Sequence, residues 1–187
     1  MGFCIFNNIF IGAKYAQYLF GTLFDQHTAK IAIVDIDVHH GNGTQAMAWN
    51  EQNICYISMH QYDPEGFFYP GTGGPNEYGA FDNVLNVPLA PGSNGDDARS
   101  AWTEKVVSKL DAFEPDLVMV SAGFDAHRED QLARLQFTER DYQWMTEDLV
   151  RVANDHCNGK IVSVLEGGYN LEALKECTTA HVKELCV

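Results

Sequence analysis

The chain has 187 residues, 45% hydrophobic and 12% aromatic, a globular composition long enough for one domain with its own core. Twelve Lys and Arg against 26 Asp and Glu leave a formal charge of −14, which repels a phosphate backbone and sets aside direct nucleic-acid binding. Cys4, Cys55, Cys157, Cys177 and Cys186 are scattered without a CxxC pair, so neither a disulfide framework nor a thiolate zinc site is indicated, and a reducing, cytoplasmic setting is expected.

The opening MGFCIFNNIFIGAKYA lacks a basic leader, its apolar run is broken by Asn7 and Asn8, and Phe6 stands where a myristoylation site wants Ser or Thr. No stretch reaches the roughly 18 consecutive apolar residues of a membrane span, so no membrane partner is expected. Phe6, Ile9, Phe10, Ala13, Phe20, Leu23 and Phe24 recur at a helical period with only Lys14 charged among them, which predicts a buried helix between Ile5 and Phe24. KIAIVDIDV from Lys30, ICYISMH from Ile54, DLVMVSAGFD from Asp116 and KIVSVLEGGY from Lys160 are continuous apolar runs, as in strands covered on both faces. Residues 60 to 83, rich in glycine, proline and aromatics, form a long loop of the kind that carries function. Helical patterns start at Asp96, at Thr138 as an N-cap and at Asn170. This alternation predicts an α/β fold with a mainly parallel sheet and helices on both faces.

In such sheets ligands bind beyond the carboxyl ends of the strands. The four predicted strands end in Asp35, Asp37 and His39; in Ser58 and His60; in Asp125 and His127; and in Glu166-Gly167-Gly168-Tyr169. Alternation along an extended segment sends Asp35, Asp37 and His39 to one side and His40 to the other. Asp125 from a neighbouring strand end would complete a divalent-metal site with open positions, the pattern of a catalytic zinc, although iron, manganese or cobalt also suits carboxylate-rich coordination. The competing reading is a turn capped by the aspartates. Two aspartates inside an apolar strand are costly to bury unpaired, which favours the metal. Tyr169 reads either as packing over a turn or as a donor to an oxyanion. Phe3, Phe67, Phe68 and Tyr69 read either as core aromatics or as the lining of an apolar channel.

GFCIFNN, VDIDVHHGNGTQ, FFYPGTG, SAGFDAH and LEGGYNLEAL, in this order, resemble the zinc-dependent histone deacetylase superfamily. Its bacterial deacetylase-like members, which include acetoin-utilisation proteins and acetylpolyamine amidohydrolases, are the most similar. The resemblance covers essentially all of residues 1–187. It implies an arginase-like fold and hydrolysis of an N-acetyl amide, of the acetyl-lysine type, to acetate and a free amine. On this resemblance Asp37, His39 and Asp125 are the ligands of one zinc, and Tyr169 polarises the acetyl carbonyl. Asp35 matches the family's carboxylate that orients a catalytic histidine, and Asn42 the related position near a second one. Phe3, Phe68 and Tyr69 match the walls of the substrate tunnel. The carbonyls of Asp35, Asp37, His39 and Met59, with the Ser58 hydroxyl, match a structural potassium site.

The family's tandem His-His, its general base, lies a short way upstream of GFC, and the sequence here starts at Met1. The expectation is therefore a C-terminal portion of the domain with its natural C-terminal end, an exposed sheet edge, uncovered apolar helix faces and impaired activity. A two-manganese arginase-type site is disfavoured, because Gly41 and Ala126 stand where it needs further carboxylates. Leu132, at the position where polyamine-preferring relatives place an acidic gatekeeper, leans toward acyl-lysine, while the nearby Glu129 and Asp130 keep an acetylpolyamine substrate open. A catalytically silent metal-binding fragment, associating with itself as an oligomer or with a partner, is the remaining alternative.

Overall fold

The computed structural model describes residues 3–24 and 28–186. Its centre is one parallel sheet built from β1 (Ile31–Asp35), β2 (Ile54–Gln61), β3 (Val84–Leu89), β4 (Leu117–Ala122) and β5 (Ile161–Leu165), in the order β3-β2-β1-β4-β5. β1 is flanked on both sides, with Asp35 level with Ser58 on β2 and with Ser121 on β4. The carboxyl ends of three strands therefore meet at one edge.

The apolar runs bury both faces of β1, β2 and β4, as their composition predicts. On one face Ile31, Ile33, Tyr56 and Met119 pack with Ile9, Phe10 and Ala13 of α1 (Asn8–Phe24), and Ala48 of α2 (Asn42–Ala48) joins them. On the other face Ala32, Val34, Ile57 and Val120 pack against α3 (Gly95–Ala101), a π-helical turn Trp102–Val107 that continues it, α4 (Ser108–Phe113), α5 (Glu139–Cys157) and α6 (Leu171–Leu185). Asn94 caps α3 through the Asp96 and Asp97 N–H groups, and Asn170 caps α6 through that of Ala173. Among the described residues no helix is long and apolar enough to cross a membrane.

Three expectations need correction. β3 was not anticipated: Pro88 interrupts its pattern, and the strand tolerates it because it lies at the sheet edge, where one side of the backbone needs no partner. β5 is not covered on both faces; it is the opposite edge, and Val162 and Leu165 are 44% and 59% exposed. α1 buries only one face, leaving Ile11, Tyr15 and Tyr18 exposed on its outer side. Met1, Gly2 and the side chains of Leu23 and Phe24, which the sequence reading used, lie outside what is described.

Candidate functional site

β1 ends at Asp35, and the chain beyond it turns instead of running on extended. Asp35 Oδ1 accepts the Asp37 N–H at 3.1 Å, and Asp37 Oδ1 accepts the His39 N–H at 2.8 Å. These two successive side-chain turns, characteristic of aspartate, replace the strand alternation expected from the pattern. The Asp35 carboxylate consequently parts from the other two residues: its Oδ2 accepts the buried Tyr56 hydroxyl at 2.9 Å. Burial, then the Asp37 charge, pushes the Asp35 carboxyl well above its usual range.

Asp37, His39 and Asp125 do come together, each offering one ligand atom within 4.8 Å of the others. His39 Nδ1 lies 3.2 Å from Asp37 Oδ1 and 3.1 Å from Asp125 Oδ2. The remaining carboxylate oxygens are aimed by backbone, Asp125 Oδ1 by the Val38 N–H at 3.0 Å and Asp37 Oδ2 by the Gly167 N–H at 2.8 Å. A Cβ on Gly167 would sit 2.3 Å from Asp125 Oδ2 and 2.5 Å from Asp37 Oδ2, so the carboxylates fit only because that residue has no side chain.

Asp125 is fully buried, and burial together with repulsion from Asp37 raises its carboxyl. Burial alone lowers the His39 imidazole, but its bonds to Asp125 and Asp37 outweigh that and lift it to about 10. Among the described residues no Lys or Arg pairs with either carboxylate. The imidazole is the one basic group that meets both carboxylates among the described residues, and a buried pair of carboxylates with an imidazole is a donor set suited to a divalent cation.

Aromatic rings surround the group. Phe68 stacks on the His39 ring at 5.1 Å between centroids, and Tyr69 meets it edge-on at 6.2 Å. Tyr169, 42% exposed, follows β5 and contacts the Phe3 ring edge-on at 6.1 Å. Burial, then the Asp125 and Asp37 charges, pushes its phenol up to about 12, so the hydroxyl keeps its proton. Phe3 is itself 92% exposed, and the described residues line the group without enclosing it.

His40 is turned away from the group, as expected. Its Nδ1 is 2.8 Å from Thr72 Oγ1 and its Nε2 2.9 Å from Gln45 Oε1. Asn42 opens α2, its N–H on the His40 carbonyl. Ser58 Oγ lies 2.8 Å from His60 Nδ1, whose Nε2 is 3.0 Å from the Gly73 carbonyl. Sequence reasoning missed Gln45; it named Gly167 only within the strand-end cluster and Asp130 only as an acid near the substrate, not as the partners of Asp37 and of the Tyr169 main chain that the structure makes them. The two glycines of LEGGY were the available signal for Gly167; nothing in the sequence marks Gln45 or Asp130 as buried.

Residues 1–185 match the family model of the histone deacetylase domain. The chain belongs to the histone deacetylase family. Type-2 histone deacetylase 2 of Dictyostelium discoideum is 40% identical over 98% of this chain and 11% of its own length. Histone deacetylase 14, chloroplastic, of Arabidopsis thaliana is 44% identical over 93% of the chain and 40% of its own length. The crystal structure of the HDA15 HD domain superposes with a TM-score of 0.87 at 40% identity, covering 99% of this chain and 50% of that one. The chain thus spans half or less of each of these relatives. Members of the histone deacetylase family are hydrolases and generally metal-dependent, which agrees with the donor set described above.

Proposed function

We propose that this chain carries the metal-binding and carbonyl-polarising residues of a deacetylase acting on N-acetyl amides of the acetyl-lysine type. The observation that carries the reading is the convergence of Asp37, His39, Asp125 and Tyr169, from three separate strand ends, on one edge of the sheet. Asp37 and Asp125 contribute carboxylate oxygens and His39 its Nδ1, a set that suits one zinc and also accommodates iron or manganese. When bound, the ion supplies Lewis-acid polarisation of the acetyl oxygen and acidifies water.

The protein's own residues do the rest. Tyr169, held protonated, donates to the acetyl oxygen as negative charge develops there. Phe68 and Tyr69 beside His39, and Phe3 beside Tyr169, line the apolar part of the side chain that carries the acetyl group. Asp35 holds the turn that presents Asp37, and Asn42 begins the helix behind it. Because His60 donates from Nε2 to the Gly73 carbonyl, its Nδ1 accepts the Ser58 hydroxyl proton, which leaves the Ser58 oxygen lone pairs for a cation. That supports a structural potassium shared with the carbonyls of Asp35, Asp37, His39 and Met59.

A proton acceptor for the attacking water is also required. The described histidines other than His39 are engaged elsewhere: His40 with Thr72, His60 with Ser58, His127 with the Glu129 N–H, His156 with Asp111 and His181 with Thr146. A general base contributes ~10²–10⁴-fold to such a step. A reducing, cytoplasmic location belongs to the same reading and suits five free cysteines.

Elemental analysis of purified protein, beside a fluorogenic acetyl-lysine assay, tests the proposal. About one zinc per chain, lost in Asp125→Ala, is expected. Wild-type protein that takes up no zinc, or an Asp125→Ala variant that retains it, would overturn the reading.

A further inference from the structure

We infer that Asp130 is a positioning residue, whose buried carboxylate joins the loop carrying Asp125 to the segment carrying Tyr169 and thereby sets where the Tyr169 hydroxyl stands. The inference rests on the role proposed for Tyr169. Asp130 is 6% exposed although it lies in the polar run Arg128-Glu129-Asp130-Gln131. Its Oδ2 accepts the Tyr169 N–H at 2.7 Å and the Asn170 N–H at 3.0 Å, and its Oδ1 accepts the Leu132 N–H at 3.0 Å. One carboxylate thus satisfies three main-chain donors on two loops. The joint is reinforced in the opposite direction, since Asn170 Nδ2 donates to the Glu129 carbonyl at 3.0 Å. The Asp130 loop is in turn tied to the turn after β4, its own N–H donating to the His127 carbonyl at 2.8 Å.

Tyr169 needs such an anchor. Gly167 and Gly168 precede it, the latter at φ +133°, so the approaching backbone has little stiffness of its own. The ring is half-exposed and meets the largely exposed Phe3 rather than a packed wall. The placement of the hydroxyl therefore comes through the main chain, and the two N–H bonds to Asp130 fix that main chain immediately before α6 begins. A donor to an oxyanion works only when held to a fraction of an ångström, and a misplacement of about 1 Å costs on the order of 10²-fold.

The same geometry bears on specificity. With both oxygens committed to main-chain donors, Asp130 is not available at the mouth of the site to greet a cationic amine. Glu129 turns to Arg128 at 3.6 Å, and Leu132 is the exposed apolar residue of this loop. An exposed leucine with the nearby acids paired or turned inward suits an acyl-lysine chain better than a polyamine.

The test compares amide hydrogen exchange in wild type and the near-isosteric Asp130→Asn, using the zinc-loaded full chain. Asparagine keeps one acceptor oxygen and loses the charge, so in either orientation of its amide the bonds to the Tyr169 and Asn170 N–H groups are lost or fall to the weaker strength of a neutral acceptor. Exchange over residues 168–171 is expected to rise about tenfold or more, with β1 and β4 unchanged. No change at Tyr169 and Asn170, or a uniform rise over the whole chain, would overturn the inference, and this readout needs no turnover. In the acetyl-lysine assay Asp130→Asn should lower kcat with little change in KM, and add nothing once Tyr169→Phe is present. Full additivity in the double variant would overturn the positioning role. A Tyr169→Phe variant as active as wild type would sink the proposed role of Tyr169 instead, and with it the functional part of this inference.

Discussion

His39 and Phe68 lie face to face, their ring centroids 5.1 Å apart and their planes 5° from parallel. Phe68 belongs to the long glycine- and proline-rich loop, so this stack is where the loop and the candidate metal group meet. Stacked aromatic pairs contribute about 0.5–1.5 kcal/mol beyond buried area. Replacing Phe68 by Ala is expected to lower unfolding stability by about 1 kcal/mol and to raise KM for an acetyl-lysine peptide more than it lowers kcat. Urea unfolding and steady-state kinetics read the two effects; an unchanged urea midpoint would show that the stack contributes nothing.

Gly167 is hemmed in by the very oxygens that would hold a metal. An added Cβ would sit 2.3 Å from Asp125 Oδ2 and must push one carboxylate aside. Gly167→Ala should therefore weaken zinc binding by about tenfold or more while costing about 1–3 kcal/mol of stability, the usual range for overpacking. Competition with a chromogenic chelator measures the first quantity. Wild-type zinc affinity in this variant would mean that the carboxylates are not the ligands.

The buried histidines make stability depend on pH in a predictable direction. Burial, then the neighbouring His40, pulls the His60 imidazole down to about 3. Between that value and about 6.5 the unfolded chain binds a proton that the fold refuses, so the His60 contribution falls as pH falls, by up to about 1.4 kcal/mol per unit. Asp35 and Glu166, raised by burial, act in the opposite sense over the acid range. The comparison is therefore between wild type and His60→Gln: the variant should lose less stability between about pH 6.5 and about pH 5. Parallel curves for the two proteins would contradict a neutral buried His60.

Tyr56 and Asp35 form a fully buried pair behind the turn that presents Asp37. Tyr56→Phe keeps the ring but strips Asp35 Oδ2 of its donor, and an unsatisfied buried acceptor costs about 1–3 kcal/mol. Urea unfolding should show that loss. Nuclear magnetic resonance of the His39 ring should move as well, since Asp35 Oδ1 braces the Asp37 N–H. A neutral substitution would mean that Asp35 needs no partner.

Much of the architecture could be read from period and composition. β1, β2 and β4 are unbroken apolar runs because they are flanked within the sheet and covered on both faces, and the N-caps of α5 and α6 stand where Thr138 and Asn170 mark them. β3 escaped notice because Pro88 and Asn86 break its pattern, and an edge strand can carry both. Asp37, His39 and Asp125 converge as their positions at the strand ends suggest, but side-chain turns, not strand alternation, bring His39 to Asp125. The sequence presents Asp130 as an acid facing the substrate, and its burial was illegible because its neighbours are polar and exposed; only the docking of two loops distant in sequence buries it.

The site is stitched by bonds that span most of the chain. Val38 reaches Asp125 across 87 residues and Gly167 reaches Asp37 across 130. Contacts of such long range form only after the intervening loops have closed, which makes this edge of the sheet a late arrival in folding. No excised peptide would carry the donor set, and a chain only partly folded would have no affinity for the ion. Metal uptake thus becomes a clock for the final step of assembly: in a refolding experiment it should lag the recovery of helical signal, and added zinc should stabilise the finished fold by an amount that grows with the logarithm of its free concentration.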